Sequence, residues 1–303
     1  MKPVITWRMR FIEFAIAFAA LTAVPGAPVR GAPVTESHVP DFSGPWMSTH
    51  GRKFIPSATG PRPVMDDPAH PHMARGVTAD GRDFGTTAWV GDWRNPNLMP
   101  WVANAVKEAG EADMAGNAIP TAESTCWPAG VPNIMNFFEP AFFLQTPDQV
   151  TILYQRGPNV RHIYLNRPHS ARIQPSWYGE SIGHYEGDTL VVDTIGFNGN
   201  TVLDSYHTPH SDQLHVIERY RVRKGKTEPD MPAQGDAFVF TGDTLEVDFR
   251  VEDPVAFRQP WSATARYRHV NRAALEESIC AENNTDPVAG KIFPIPVATK
   301  PDF

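Results

Sequence analysis

From residue 148 onward, apolar and β-branched residues alternate with polar ones in short runs. Val150-Thr-Ile-Leu-Tyr154 and Val160-Arg-His-Ile-Tyr164 are two such runs, set apart by Gly157-Pro158-Asn159, a turn signal. Residues 176–185 lead through Glu186-Gly187-Asp188, a tight turn, into a strand over 189–194. The same pattern predicts strands over 213–222, 236–241, 244–252 and 262–269. Gly187-Asp-Thr-Leu-Val-Val-Asp193 is echoed by Gly242-Asp-Thr-Leu-Glu-Val-Asp248, and each copy predicts a hairpin turn with its return strand. No helical period separates these runs. That argues against a parallel α/β fold and predicts an all-β antiparallel meander, closed or sandwiched.

The chain before residue 148 reads differently. Of 30 prolines, seventeen precede residue 141, and only Pro209, Pro229 and Pro232 fall between 176 and 253. Proline cannot donate to a strand ladder, so the proline-poor stretch is where a sheet can run. One amphipathic helix is predicted from Pro100, with Trp101, Val102, Ala105, Val106 and Ala109 on one face and Gly110 weakening its end. Residues 34–303 are therefore read as a single β-rich domain. Its front, 34–147, is loop-rich with one or two short helices, and its main antiparallel sheet spans 148–285.

Residues 1–30 carry the three parts of a secretory signal peptide. Lys2, Arg8 and Arg10 precede an apolar stretch over 11–24, and Pro25-Gly26-Ala27 follows it. Cleavage is placed loosely between about 23 and 34. The reading is a periplasmic or secreted protein. Nothing after the first 25 residues approaches the roughly 20 apolar residues a membrane helix needs, so no span is expected in the mature chain. Net charge is −7 and no Lys/Arg-rich run occurs, so nucleic acid is not an expected partner. Export gives the two cysteines a meaning. An oxidising compartment favours a Cys126–Cys280 disulfide over two separate buried thiols. Such a bridge closes a loop of about 155 residues, worth roughly 4–5 kcal/mol in the chain-entropy model.

Four groups of residues suggest chemistry. Gly179-Glu-Ser-Ile-Gly183 has the G-x-S-x-G form of a hydrolase elbow, but a hairpin and strand follow where a helix is required. The glycines are better read as sites of close backbone approach. His207, His210 and His215, with Asp204 and Asp212, match no standard metal spacing, so no metal and no cofactor is expected. On the strand 213–222, Leu214, Val216, Glu218 and Tyr220 share one face, and His215, Ile217, Arg219 and Arg221 the other. If the first face points inward, Glu218 is a buried carboxylate needing a partner, and Arg161 is the candidate. That pair is either a structural ion pair or part of a pocket in which Glu218 acts with His215 or His210 as acid and base. Finally, Trp127, Trp177, Tyr178, Tyr185 and Tyr206 suit the wall of a small-molecule pocket.

The run Ser176-Trp-Tyr-Gly-Glu-Ser-Ile-Gly-His-Tyr-Glu-Gly-Asp-Thr-Leu-Val-Val-Asp-Thr-Ile-Gly-Phe197 resembles a large family of secreted bacterial β-rich proteins with no known activity. So do Pro209-His-Ser-Asp-Gln-Leu-His-Val-Ile-Glu-Arg-Tyr220, Val251-Glu-Asp-Pro254, Pro260-Trp261 and Cys280-Ala-Glu-Asn-Asn284. The likeness implies export and a β-rich fold but no catalytic residue. Many members read Asp-Gly-Arg where this chain has Leu165-Asn166-Arg167. Gly44-Pro45-Trp46 also resembles the G-x-W of lipocalin-like barrels, which implies a closed barrel with Arg266 or Arg268 over the tryptophan. The leading expectation is an exported barrel whose pocket binds a small, largely apolar molecule through Arg161, Trp177, Tyr178, Tyr185 and Tyr220. The alternative is a periplasmic hydrolase, isomerase or lyase built on Glu218 with His215 or His210. A structural envelope component with no pocket is the third possibility.

Overall fold

Nine strands close into a barrel in the computed structural model of the chain, which describes residues 39–49, 51, 53–70, 89–115, 119–120, 125–156, 159–225, 240–270, 275–277 and 279. In chain order the elements are β1 (Gly44–Ser48), β2 (Ile55–Pro56), α1 (Pro100–Met114), a 3-10 turn (Asn133–Asn136), β3 (Ala141–Gln145), β4 (Gln149–Tyr154) and β5 (Asn159–Leu165). Then come β6 (Glu180–Glu186), β7 (Thr189–Ile195), β8 (His215–Arg223), β9 (Phe240–Glu252) and β10 (Trp261–Val270). The sheet runs β1-β3-β4-β5-β6-β7-β8-β9-β10, and β1 also pairs with β10, which closes the ring; β2 adds to the far end of β10. Among the described residues no helix is long and apolar enough to cross a membrane.

The expected all-β barrel is present, with three differences of detail. First, the barrel takes in two segments of the front, β1 and β3, and β2 adds a third to the sheet. Phe142 and Phe143 gave β3 an apolar signal, but Pro140 and Pro147 bracket it and shorten the readable pattern. Second, the β5–β6 junction is parallel while every other pairing between the strands named above is antiparallel. A parallel pair needs a long crossover, and residues 166–179 supply it without a helix. Asn166, at φ 55, starts that crossover in the left-handed region that asparagine tolerates.

Third, only one Gly-Asp copy is a hairpin. Glu186 pairs with Thr189, so Gly187-Asp188 is a two-residue turn, with Gly187 at φ 60. Gly242-Asp243 instead lies inside the continuous strand β9. Against β10 the register steps from Arg268↔Thr244 to Val270↔Phe240, which leaves extra residues on β9: a bulge, with Gly242 at φ 92. The Asp243 carboxylate there accepts hydrogen bonds from Lys224 Nζ and Gly225 N, at 2.8 and 3.0 Å. Part of the strand expected over 236–241 lies outside the described residues.

Alternation fills the barrel. Val150, Ile152, Ile163, Leu190, Val192, Val216, Leu245, Val247, Val251 and Ala265 all point inward and are 0% exposed. Burying each valine, leucine or isoleucine among them is worth about 1.5–3 kcal/mol. Trp46 enters from β1, donates its indole N–H to the Phe42 carbonyl at 2.8 Å, and stands edge-on to His269 at 4.9 Å. The residue against this tryptophan is therefore His269. Arg266 lies on the outward face and pairs with Glu246 at 3.4 Å.

The front caps one end of the barrel, where β7 and β9 finish and β8 and β10 begin. Helix α1 buries Val102 and Val106 completely, and its exposed-face Trp101 donates to the Val255 carbonyl at 2.8 Å. Leu98 bridges to Phe257, whose ring meets Trp261 edge-on at 5.9 Å. Gly91 sits where a methyl group would come within 2.7–2.9 Å of Val64, Val106 and Tyr206, so only glycine lets these segments close up.

Candidate functional site

Inside the barrel, β8 points Glu218 and Tyr220 at β5, which points Arg161 back. Both members of the Arg161–Glu218 pair are 0% exposed. Arg161 Nη1 donates to Glu218 Oε1 at 2.8 Å and to Tyr220 Oη at 3.1 Å, and Nη2 donates to Glu218 Oε2 and, at 2.9 Å, to Thr194 Oγ1. Its Nε donates to Ser181 Oγ at 3.2 Å, and Tyr220 donates to Glu218 Oε1 at 2.6 Å. Every guanidinium nitrogen thus has an acceptor. Burial alone would lower the Arg161 pKa, but the facing Glu218 carboxylate, together with Tyr220 and Tyr154, outweighs it and raises the pKa, which keeps the group charged. Ser181, the serine of the G-x-S-x-G run, is a member of this network and 2% exposed. Its flanking glycines do serve close approach: a methyl on Gly183 would lie 3.0 Å from Ile163 Cγ2, and one on Gly179 would lie 2.6 Å from the Ile195 carbonyl oxygen.

The acid–base group expected from the sequence does not assemble. Glu218 points into the barrel. His215, three residues earlier on the same strand, points out, with Nε2 3.1 Å from Asp193 Oδ2 and Nδ1 3.5 Å from Glu252 Oε2. His210 sits on the loop between β7 and β8. Its Nδ1 donates to the Ser211 carbonyl at 2.8 Å, which fixes the tautomer, and its Nε2 accepts from Thr201 Oγ1 at 2.7 Å. Burial lowers its pKa and favours this neutral form. Thr201 and His210 have the spacing of a nucleophile and base. However, a methyl on Gly130 would lie 2.7 Å from Thr201 Oγ1, so backbone already covers the hydroxyl. Among the described residues, no three His, Cys, Asp or Glu side chains are placed to hold a metal ion.

The expected aromatic wall divides into three places. Tyr220 belongs to the interior network. Tyr185 lies near the far end of β6, where Gln145 Nε2 donates to its hydroxyl at 3.0 Å. Tyr178 lies before the start of β6, donates to Asn159 Oδ1 at 2.5 Å and packs on the core. Next to it, Trp177 and Trp127 meet at 5.2 Å between ring centroids, both partly exposed. The neighbouring Cys126 adopts φ 59. Cys280 lies outside the described residues, and so does the expected bridge.

The outer wall holds a group the sequence reading did not single out. His169, on the 166–179 crossover, places Nδ1 3.0 Å from Glu180 Oε1 and Nε2 2.9 Å from Asp193 Oδ1. His215 meets the second oxygen of the same Asp193. Burial raises the Asp193 pKa, but hydrogen bonds from His169 and His215 outweigh it and hold the carboxyl below the usual range. Alternation along β7 and β8 puts Asp193 and His215 on the outward face, so this half was readable. The position of His169 depends on the crossover and was not.

Compared with the known protein families, the curated proteins and the solved structures, the chain matches none.

Glu218→Gln leaves the Arg161 charge buried and uncompensated, so it should lower unfolding stability by about 3–5 kcal/mol. Urea denaturation checks this, and a variant as stable as wild type would contradict the structural role. Asp204 gives a pH test. It is buried, and its Oδ1 accepts from the Tyr206 and Thr208 amides at 2.9 and 3.2 Å. Burial pushes its pKa up to about 6 from 3.8. The unfolded chain therefore ionises first, and this group's contribution to stability is lost as pH rises from about 4 to about 6. The loss comes to about 3 kcal/mol, at 1.36 kcal/mol per pKa unit. Asp204→Asn keeps the amide contacts and cannot ionise. Its stability relative to wild type should climb over that window and level off above it. Parallel pH curves for the two proteins would refute the assignment.

Proposed function

We propose that this chain is an exported barrel protein that binds a small, largely apolar molecule at the barrel end bearing Trp127, Trp177 and Tyr178. The observation that carries the reading is the Trp127–Trp177 pair, two large rings in contact at a 49° tilt that stay partly exposed next to the half-buried Tyr178. Broad apolar surface with a few aimed polar groups, here the Tyr178 hydroxyl and Asn159, is what such ligands select. The middle of the barrel is the weaker place, because the inward side chains from β4 to β10 are buried and packed into one core. An enzyme using Glu218 with His215 or His210 is weaker still, because these groups face different spaces and each already has partners.

Titration with the apolar fluorophore N-phenyl-1-naphthylamine tests the site. Wild type should bind with quenching of tryptophan emission, and Trp177→Ala should bind about tenfold more weakly with unchanged thermal stability. Equal affinity in the two proteins would place the ligand elsewhere or nowhere. Export and the Cys126–Cys280 disulfide belong to the same reading. The intact mass of the chain recovered from an exporting host should show a start between about residues 23 and 34 and the loss of two hydrogens. Full-length chain with two thiols would rule out both.

A further inference from the structure

The crossover 166–179 carries Trp177 and Tyr178, and its leading part is tied to the barrel wall through His169. The ring lies between two carboxylates, Glu180 of β6 and Asp193 of β7, one at each nitrogen. A neutral imidazole has one N–H and can donate to only one of them. Its other nitrogen then turns a lone pair toward a carboxylate oxygen. Only the doubly protonated ring satisfies both contacts.

We propose that His169 is a proton-operated latch that holds the 166–179 crossover against β6 and β7 when protonated and loosens it when neutral. The surrounding charges fix which contact responds. On Glu180, the Ser170 amide donates to Oε1 at 2.7 Å and the Ser170 hydroxyl to Oε2 at 2.5 Å, so this carboxylate keeps its tie to the crossover whichever state His169 is in. Asp193 has no such tie to the loop; its other oxygen faces His215 of β8. His215 faces Glu252 of β9, which in turn accepts from Arg250 Nε at 2.6 Å. Of the two arginines on the crossover, Arg167 stacks over the Tyr164 ring at 3.7 Å and Arg172 is exposed. The released contact is therefore His169–Asp193. His215 shares the Asp193 carboxylate, so its charge state acts on the same hold in the same direction. Acid therefore favours the pinned crossover and base the freed one. If the aromatic end is the ligand site proposed above, acid also favours binding there.

Amide hydrogen exchange of residues 167–179, corrected for intrinsic rates, tests the latch without any ligand. Between pH 5.5 and 8.0, protection in wild type should fall about three- to tenfold, in keeping with one or two partly exposed ion contacts. His169→Gln should show low protection at both values, and His215→Gln should show a reduced fall. Peptides from β9 and β10 should hold their protection throughout. A wild type without pH dependence, or a His169→Gln variant with the wild-type ratio, would overturn the latch. Binding of N-phenyl-1-naphthylamine at the same two pH values separates the two ideas: a pH-dependent crossover with no bound probe leaves the latch standing and removes the ligand site.

Discussion

The barrel is organised around one buried charge pair. Arg161 and Glu218 come from strands separated in the sheet by β6 and β7, and both intervening strands contribute a hydroxyl, Ser181 and Thr194, to the same network. An apolar interior alone would tolerate many strand registers. A guanidinium that must find a carboxylate and two hydroxyls in a dry space tolerates one. Replacing such a pair by matched apolar side chains often costs nothing in stability, so its benefit here is read as specificity of register. The β5–β6 junction is where that specificity matters most. It is parallel and short, and its crossover supplies no helix to cover it.

Much of this was legible in the sequence because alternation is a local signal. The inward face of β8, with its glutamate, follows from period two, and so does the choice of Arg161 as the facing cation. The hairpin at Gly187-Asp188 follows from turn chemistry. What was not legible depends on partners distant in the chain. Gly242-Asp243 has the same residues as the true hairpin, yet β10 runs alongside it and makes it a bulge. β1 shows almost no alternation over its five residues and is a strand only because β3 and β10 flank it.

The candidate site divides along the same line. The sequence placed Glu218 and His215 on opposite faces, and the structure separates them accordingly. The aromatic residues looked like a single wall only because their spacing along the chain conceals that they belong to opposite ends and the middle of a barrel. His169 was missed because nothing local distinguishes it. Its meaning comes from a crossover that lays it between carboxylates of two neighbouring strands.

The closing seam has a consequence for how the molecule is made. Trp46 pairs across to His269, so the ring is completed by the first and the last described strands. Contacts this remote form late, because the intervening chain must first give up its freedom. A chain emerging from its N-terminus exposes the tryptophan-bearing strand long before β10 exists to receive it. Pro45 withholds one backbone donor on that strand. That missing donor makes the waiting edge a poorer template for a neighbouring unfinished copy.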